Sequence, residues 1–185
     1  MTEPSVRPAA SADLESFASA LGDRGFFVDR FERQQKGFGE LFLAWLGTAP
    51  AGAVYLWLEK AEEELIHEHL PGVPLITHLE VHPDLRRLGV GTALVGTVER
   101  HLVEQGKDRV ALAVRTDNHD ADRLYKKLLY RDWGFGEVIC YARTTLPDGT
   151  VLIEPEQCFV RVKDLLPVTP APRTEAWPIA ASHPC

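Results

Sequence analysis

The stretch from Leu79 to Leu94 restricts the fold more than any other part of the chain. It reads Leu79-Glu80-Val81-His82-Pro83-Asp84-Leu85-Arg86-Arg87-Leu88-Gly89-Val90-Gly91-Thr92-Ala93-Leu94. A strand-like run from Leu75 to Val81 closes at Pro83, because proline cannot donate to a strand ladder. A turn bearing Gly89 and Gly91 follows. Val90, Leu94, Val98 and Leu102 then recur at helical spacing up to a stop at Gly106. A strand that turns directly into a helix leaves the first helical N–H groups without partners. The helix dipole adds partial positive charge at that end. Together these make a site for a phosphate or pyrophosphate. At Gly89 and Gly91 no Cβ holds such a ligand off the backbone, and Arg86 and Arg87 add positive charge at the mouth. The dinucleotide fingerprint needs a third glycine where Ala93 and Leu94 stand, and a P-loop needs Gly-Lys-Ser/Thr, which is absent.

The rest of the chain is consistent with one α/β domain. Its 185 residues, 45% of them hydrophobic, can bury one proper core and are short for two. Ser11 is placed to cap a helix carrying Leu14, Phe17, Ala18 and Leu21, ended by Gly22. A second helix is predicted from about Asp23 to Lys36, with Phe27, Val28 and Phe31 inward. Glu40 to Leu46 and Gly52 to Leu58 read as a hairpin across Gly47-Thr48-Ala49-Pro50. Glu59 to Glu64 reads as a solvated loop. Beyond the glycine turn come a strand at Arg109 to Val114 and a helix at Asp120 to Leu129. Two strands follow, Glu137 to Thr144 and Gln157 to Val162, joined across Pro147-Asp148-Gly149. With a short strand at Ser5 to Arg7, the order is β, α, α, β, β, β, α, β, α, β, β. The domain is set at 1–164. From 165 to 185 five prolines mark an irregular tail.

Composition narrows the partners. A net charge of −7 and no basic stripe argue against nucleic acid. No run reaches the apolar length of a membrane span, and Met1-Thr2-Glu3-Pro4 lacks the pattern of a signal peptide. Cys140, Cys158 and Cys185 have no paired or zinc-like spacing, so a reduced, cytoplasmic protein is expected. His67, His69, His78 and His82 raise a metal reading, since His67-x-His69 on a strand would share a face. No third ligand is set by spacing, so no metal is expected and surface histidines are the simpler account.

The Arg86-x-x-Gly89-x-Gly91 run resembles the signature of the GCN5-related N-acetyltransferases (GNAT), Gln/Arg-x-x-Gly-x-Gly/Ala. Val81-His82-Pro83 is similar to the family's strand-ending Val-x-Pro. Asn118, with Tyr125 seven residues on, matches a pair that in the family meets the cofactor. The resemblance covers roughly 5 to 163, with its specific part at 79 to 135. It implies a mixed, mostly antiparallel sheet with helices on both faces and two central strands that splay around a pantetheine arm. It implies acetyl-CoA as co-substrate, an amine acceptor (small molecule or peptide/protein), and a pair of subunits as a common arrangement. Backbone groups of Arg86, Arg87, Leu88, Gly89, Val90, Gly91 and Thr92 would cradle the pyrophosphate. Leu79 and Val81 would pair with the pantetheine, and Asn118 would contact the cofactor.

By the same resemblance Tyr125 would protonate the departing thiolate. The positions where family members carry a basic carboxylate hold Ala113, Thr77 and Leu75. Glu80 is the remaining candidate base, with His78 near, though strict alternation puts both on the face opposite Thr77 and Val81. Arg123, Lys126 and Lys127 either touch a 3′-phosphate or are solvated charges. Leu129 stands where the family's Leu-Tyr-x-x-x-Gly-Phe has glycine, and Gly134-Phe135 comes five residues later, so a reshaped helix exit is expected. The acceptor site is expected between Phe26–Phe38 and the Glu62–Pro74 loop, with Glu62, Glu63, Glu64 and Glu68 at the entrance. A non-catalytic acyl-CoA-binding module of the same fold and an unrelated phosphate-binding module are the competing readings.

Overall fold

Residues from Ala51 to Trp57 are buried without a break, so their strand must lie mid-sheet with a layer on each face. The computed structural model, which describes residues 2–146 and 148–165, places it so. Seven strands form one sheet in the order β1-β2-β3-β4-β5-β7-β6. These are β1 (Pro4–Pro8), β2 (Gly39–Leu46), β3 (Ala49–Trp57), β4 (Leu75–Val81), β5 (Arg109–Arg115), β6 (Arg131–Thr145) and β7 (Val151–Asp164). All neighbours are antiparallel except β4 and β5.

Helices α1 (Leu14–Leu21), α2 (Arg24–Gln35) and α3 (Glu64–His69) cover one face. Phe17, Phe27 and Ile66 pack there against Leu41, Tyr55 and Leu75. Helices α4 (Val90–Glu104) and α5 (His119–Lys127) cover the other. Val90, Leu94, Val98, Leu102 and Tyr125 pack there on Phe42, Val54, Ile76 and Leu112. The fully buried stripe of α4 follows the spacing that predicted the helix.

Several expectations are corrected. Ser11 does not cap α1. Ser11–Asp13 form a 3-10 turn, and the Asp13 carboxylate accepts the Ala10 amide at 2.9 Å and pairs with Arg7. Glu64 begins α3, an element the sequence did not signal. His67 and His69 therefore lie two apart on a helix, not on one face of a strand. His69 stacks on Phe135 at 3.8 Å between ring centroids. The helix exit at Leu129 is not reshaped. Leu129 itself takes the left-handed conformation, φ 69°, and its amide reaches Lys126 O while that of Tyr130 reaches Tyr125 O, each at 3.0 Å. This is the two-bond closure that glycine usually completes. The extra residues are absorbed further on: five steps from Asp132 to Glu137 on β6 match two on β7, and Trp133 to Gly136 bulge out. The tail reading falls on residues outside those described, apart from Leu165. That residue is buried against the α4 side, and its amide donates to Asp108 O at 2.7 Å.

Candidate active site

β4 and β5 pair at only two positions, Leu75 with Ala111 and Ile76 with Leu112. Beyond them the strands separate, as the family resemblance implied. Leu79 and Val81 lie on the freed part of β4, with side chains packed toward α4. The His82 amide donates to Ala51 O at 2.9 Å, so alternation turns the Val81 amide and carbonyl to the opposite edge, into the gap. Arg86 Nε donates to the Val81 carbonyl at 3.4 Å.

The turn between β4 and α4 leaves its backbone amides exposed. Pro83–Leu85 form a 3-10 turn. Arg87 and Gly89 then both adopt positive φ, 63° and 83°. Among the described residues the amides of 87–92 donate to no protein acceptor. The first partnered one is Ala93, to Gly89 O at 2.9 Å. Arg86, Arg87, Leu88, Gly89 and Thr92 are exposed, while Val90 anchors the turn in the core. A Cβ on Gly91 would stand 3.3 Å from Leu124 Cδ2 and 3.7 Å from Val81 Cγ2, so Gly91 is where α4 comes close to both β4 and α5. A run of exposed amides at a helix start is chemically suited to an anion such as a pyrophosphate.

Asn118 lies at the start of α5, where its Oδ1 accepts the Ala121 amide at 3.2 Å. This cap uses one side-chain atom and leaves the amide NH2 with no partner among the described residues. Tyr125 is 6% exposed, edge-on to Tyr130 at 5.7 Å. Burial pushes its phenol well above the ordinary value, so it holds its proton across the working pH range. Its hydroxyl makes no hydrogen bond to a protein group among the described residues. Lys126 pairs with Asp122 at 2.6 Å and Arg123 with Asp120 at 3.6 Å, whereas Lys127 has no ion pair among the described residues.

The alternation argument against Glu80 fails on a β-bulge. His78 sits at φ 49°, and the register slips between the Tyr55–Thr77 and Ala53–Glu80 pairs. One extra residue flips everything beyond it, so Glu80 faces the same side as Thr77, toward α1 and α2. His78 Nε2 lies 3.1 Å from Glu80 Oε2, and the imidazole stacks on Phe26 at 3.7 Å.

Two cavities meet at His78. The smaller, about 200 Å³, opens between β4 and β5 and reaches Cys140 and Cys158. The larger, about 660 Å³, runs along α2 past Phe26, Asp29 and Arg30 and is rimmed by Glu62, Glu63 and Arg143. Glu62 pairs with Arg143 at 3.3 Å. Glu64 and Glu68 do not line either cavity. The contributions of Cys140, Ala142 and Glu156 were not read from the sequence. Only the apolar alternation of the last two strands hinted at the β6–β7 wall, and nothing marks the bulge. Among the described residues no cluster of metal-ligating side chains forms, and no helix is long and apolar enough to cross a membrane.

A mostly antiparallel sheet with one splayed parallel pair, and an amide-lined turn beside the split, defines an acetyltransferase-type fold. The chain belongs to the GNAT acetyltransferase family, whose model matches residues 8–129. An acetyltransferase of Pectobacterium atrosepticum and one of Sodalis glossinidius are each 40% identical over 53 residues, 29% of this chain. The match spans only 38% and 37% of those relatives' lengths. Among solved structures, the ribosomal-protein-S18-alanine N-acetyltransferase of Escherichia coli superposes with TM-score 0.61 at 16% identity, covering 88% of this chain and 94% of that one. A Bacillus subtilis acetyltransferase in complex with CoA gives 0.57 at 18%, covering 90% and 100%. An Elizabethkingia anophelis GNAT acetyltransferase with acetyl-CoA bound gives 0.59 at 14%, covering 88% and 99%.

Proposed function

We propose that this chain transfers the acetyl group of acetyl-CoA to a primary amine, of a small molecule or of a peptide or protein, by direct attack. The observation that carries the reading is the alignment of six partnerless amides at 87–92 with the gap that opens beyond Ile76 and Leu112. Acetyl-CoA carries a thioester at one end and, across the pantetheine arm from it, a pyrophosphate, and these two features suit those two places.

The thioester supplies an activated acyl carbon; the chain's own groups supply the rest. Backbone N–H groups from Arg86 to Thr92 hold the pyrophosphate, and the freed edges of Leu79 and Val81 hold the arm. The Asn118 amide adds a polar contact beside it. The Val81 N–H faces the gap, where it donates to the carbonyl oxygen as negative charge develops there. On the α2 side, His78 accepts a proton from the incoming amine, and Glu80 orients the imidazole and stabilises its cationic form. The carbon–nitrogen bond forms, the carbon–sulfur bond breaks, and the Tyr125 phenol gives its proton to the leaving thiolate. His78 is the catalytic group of the pair, because it lines both cavities; Glu80 positions it.

Thiol release from acetyl-CoA with a panel of amines tests the reading. Turnover is expected with at least one amine, and Tyr125→Phe is expected to lower kcat by about 10- to 100-fold. An unaltered rate in Tyr125→Phe removes that residue's role. Acetyl-CoA binding without turnover of any amine would favour a non-catalytic module.

A further inference from the structure

The smaller cavity differs from the larger one in chemistry. The larger is lined by charged groups of α2 and the β6–β7 hairpin, Asp29, Arg30, Arg33 and Arg143 among them. The smaller is walled mostly by apolar and small side chains, among them Ile66, Leu75, Ala113, Cys140, Ala142 and Cys158, although Glu63, His78, Arg115 and Glu156 also line it. It opens where β4 and β5 part, so it lies beside the place given above to the thioester. Its space, about 200 Å³, equals that of six or seven waters at roughly 30 Å³ each in the liquid. A two-carbon acyl group fills only a fraction of that. The room exists because four walls carry short side chains: Ala113 from β5, Cys140 and Ala142 from β6, and Cys158 from β7. A mostly apolar chamber next to a reacting carbonyl, joined to a charged cleft along Thr77, His78 and Ala142, divides two jobs. The cleft suits an amine with polar substituents, and the chamber suits a hydrocarbon.

We infer that the chamber is an acyl-chain pocket, and that the chain uses linear acyl-CoA donors of four to six carbons in preference to acetyl-CoA. The inference rests on the acyl-CoA reading above and extends it to the donor. Each added methylene transferred from water into such a pocket is worth about a fourfold gain in affinity until the space is full.

The test is calorimetric titration of the full chain with free CoA, acetyl-CoA, butanoyl-CoA and hexanoyl-CoA, with Ala113→Leu and Ala142→Leu in parallel and a thermal melt of each protein. Wild type is expected to bind butanoyl-CoA about tenfold more tightly than acetyl-CoA. In each variant that remains folded the gain should flatten, with hexanoyl-CoA losing at least tenfold and acetyl-CoA much less. Equal or falling affinity from acetyl to butanoyl, in a protein that binds free CoA, overturns the pocket while leaving the acyl-CoA reading intact. A chain-length gain that survives in both variants places the hydrocarbon elsewhere and overturns it too. Failure of wild type to bind even free CoA sinks the acyl-CoA reading itself, and this inference with it.

Discussion

On the α4 face, the candidate cradle is one continuous run of backbone, residues 86–92, between a strand and a helix adjacent in sequence. On the α2 face, the cleft draws side chains from α2, β3, β4, β6 and β7, from Asp23 to Glu156. The first can be assembled by local rules, because a turn with positive φ at Arg87 and Gly89 needs little from the rest of the chain to present its amides. The second exists only when the sheet has closed. A backbone-built site should tolerate side-chain changes and fail on Cβ changes. A side-chain-built site should do the reverse.

The most severe break in this contrast is expected from Gly91→Glu. A Cβ there meets Leu124 at 3.3 Å, and the added carboxylate repels a pyrophosphate. CoA affinity should fall by more than 100-fold in calorimetry, while Arg87→Ala in the same turn should cost under tenfold. Normal binding by Gly91→Glu would remove the turn as the phosphate site.

Next comes His78→Gly, which keeps the backbone angle of φ 49° accessible while removing the imidazole. We expect kcat to fall by about 100-fold with CoA affinity unchanged, and added imidazole to restore part of it. Glu80→Gln should lower kcat about tenfold. Loss without rescue in His78→Gly would recast His78 as a packing partner of Phe26.

A smaller effect is expected at the network that ties α5 to the last two strands. Arg161, 7% exposed, bonds Asp122 at 2.9 Å and Asp132 at 3.1 Å. Burial pushes the Asp122 carboxyl up, but hydrogen bonds from Lys126 and Arg161 outweigh it and hold the group below its ordinary value. A carboxylate whose folded pKa is depressed adds stability that is fully present above the unfolded value near 3.9. That stability is lost as pH falls through the lower folded value. Asp122→Asn should therefore cost about 1–2 kcal/mol at pH 7 by denaturant titration and nothing at the acid end of that window. A constant difference between the two proteins down to pH 2 would contradict this.

The smallest is Leu129→Gly. Leu129 is 77% exposed and sits at φ 69°, a conformation that costs an L-residue about 1–2 kcal/mol. Relief of that strain, less the extra chain entropy of glycine, should stabilise the protein by about 1 kcal/mol. No change in the denaturation midpoint would mean that Leu129 contributes packing that offsets its strain.

The contrast also explains what could be read in advance. Gly22, Gly47 and Gly106 ended the elements they were expected to end, each at positive φ. The α4 stripe and the β2–β3 hairpin likewise followed from spacing and turn residues alone. Glu80 was placed on the wrong face because the period-2 rule assumes an unbroken ladder, and the bulge at His78 breaks it. The short helix α3 was missed because six residues carry too little periodicity to stand out from a charged loop. The Gly134-Phe135 displacement was visible as an insertion, yet only pairing against β7 decided that β6 rather than the helix exit absorbs it.

By itself, the sequence determined the order of most elements and the glycine turn that opens α4, because each depends on neighbours within a few residues. Tertiary structure alone decided the side on which Glu80 emerges and the two cavities. Those depend on register between strands far apart in the chain, where a slip of one residue reverses a face and local composition gives no warning.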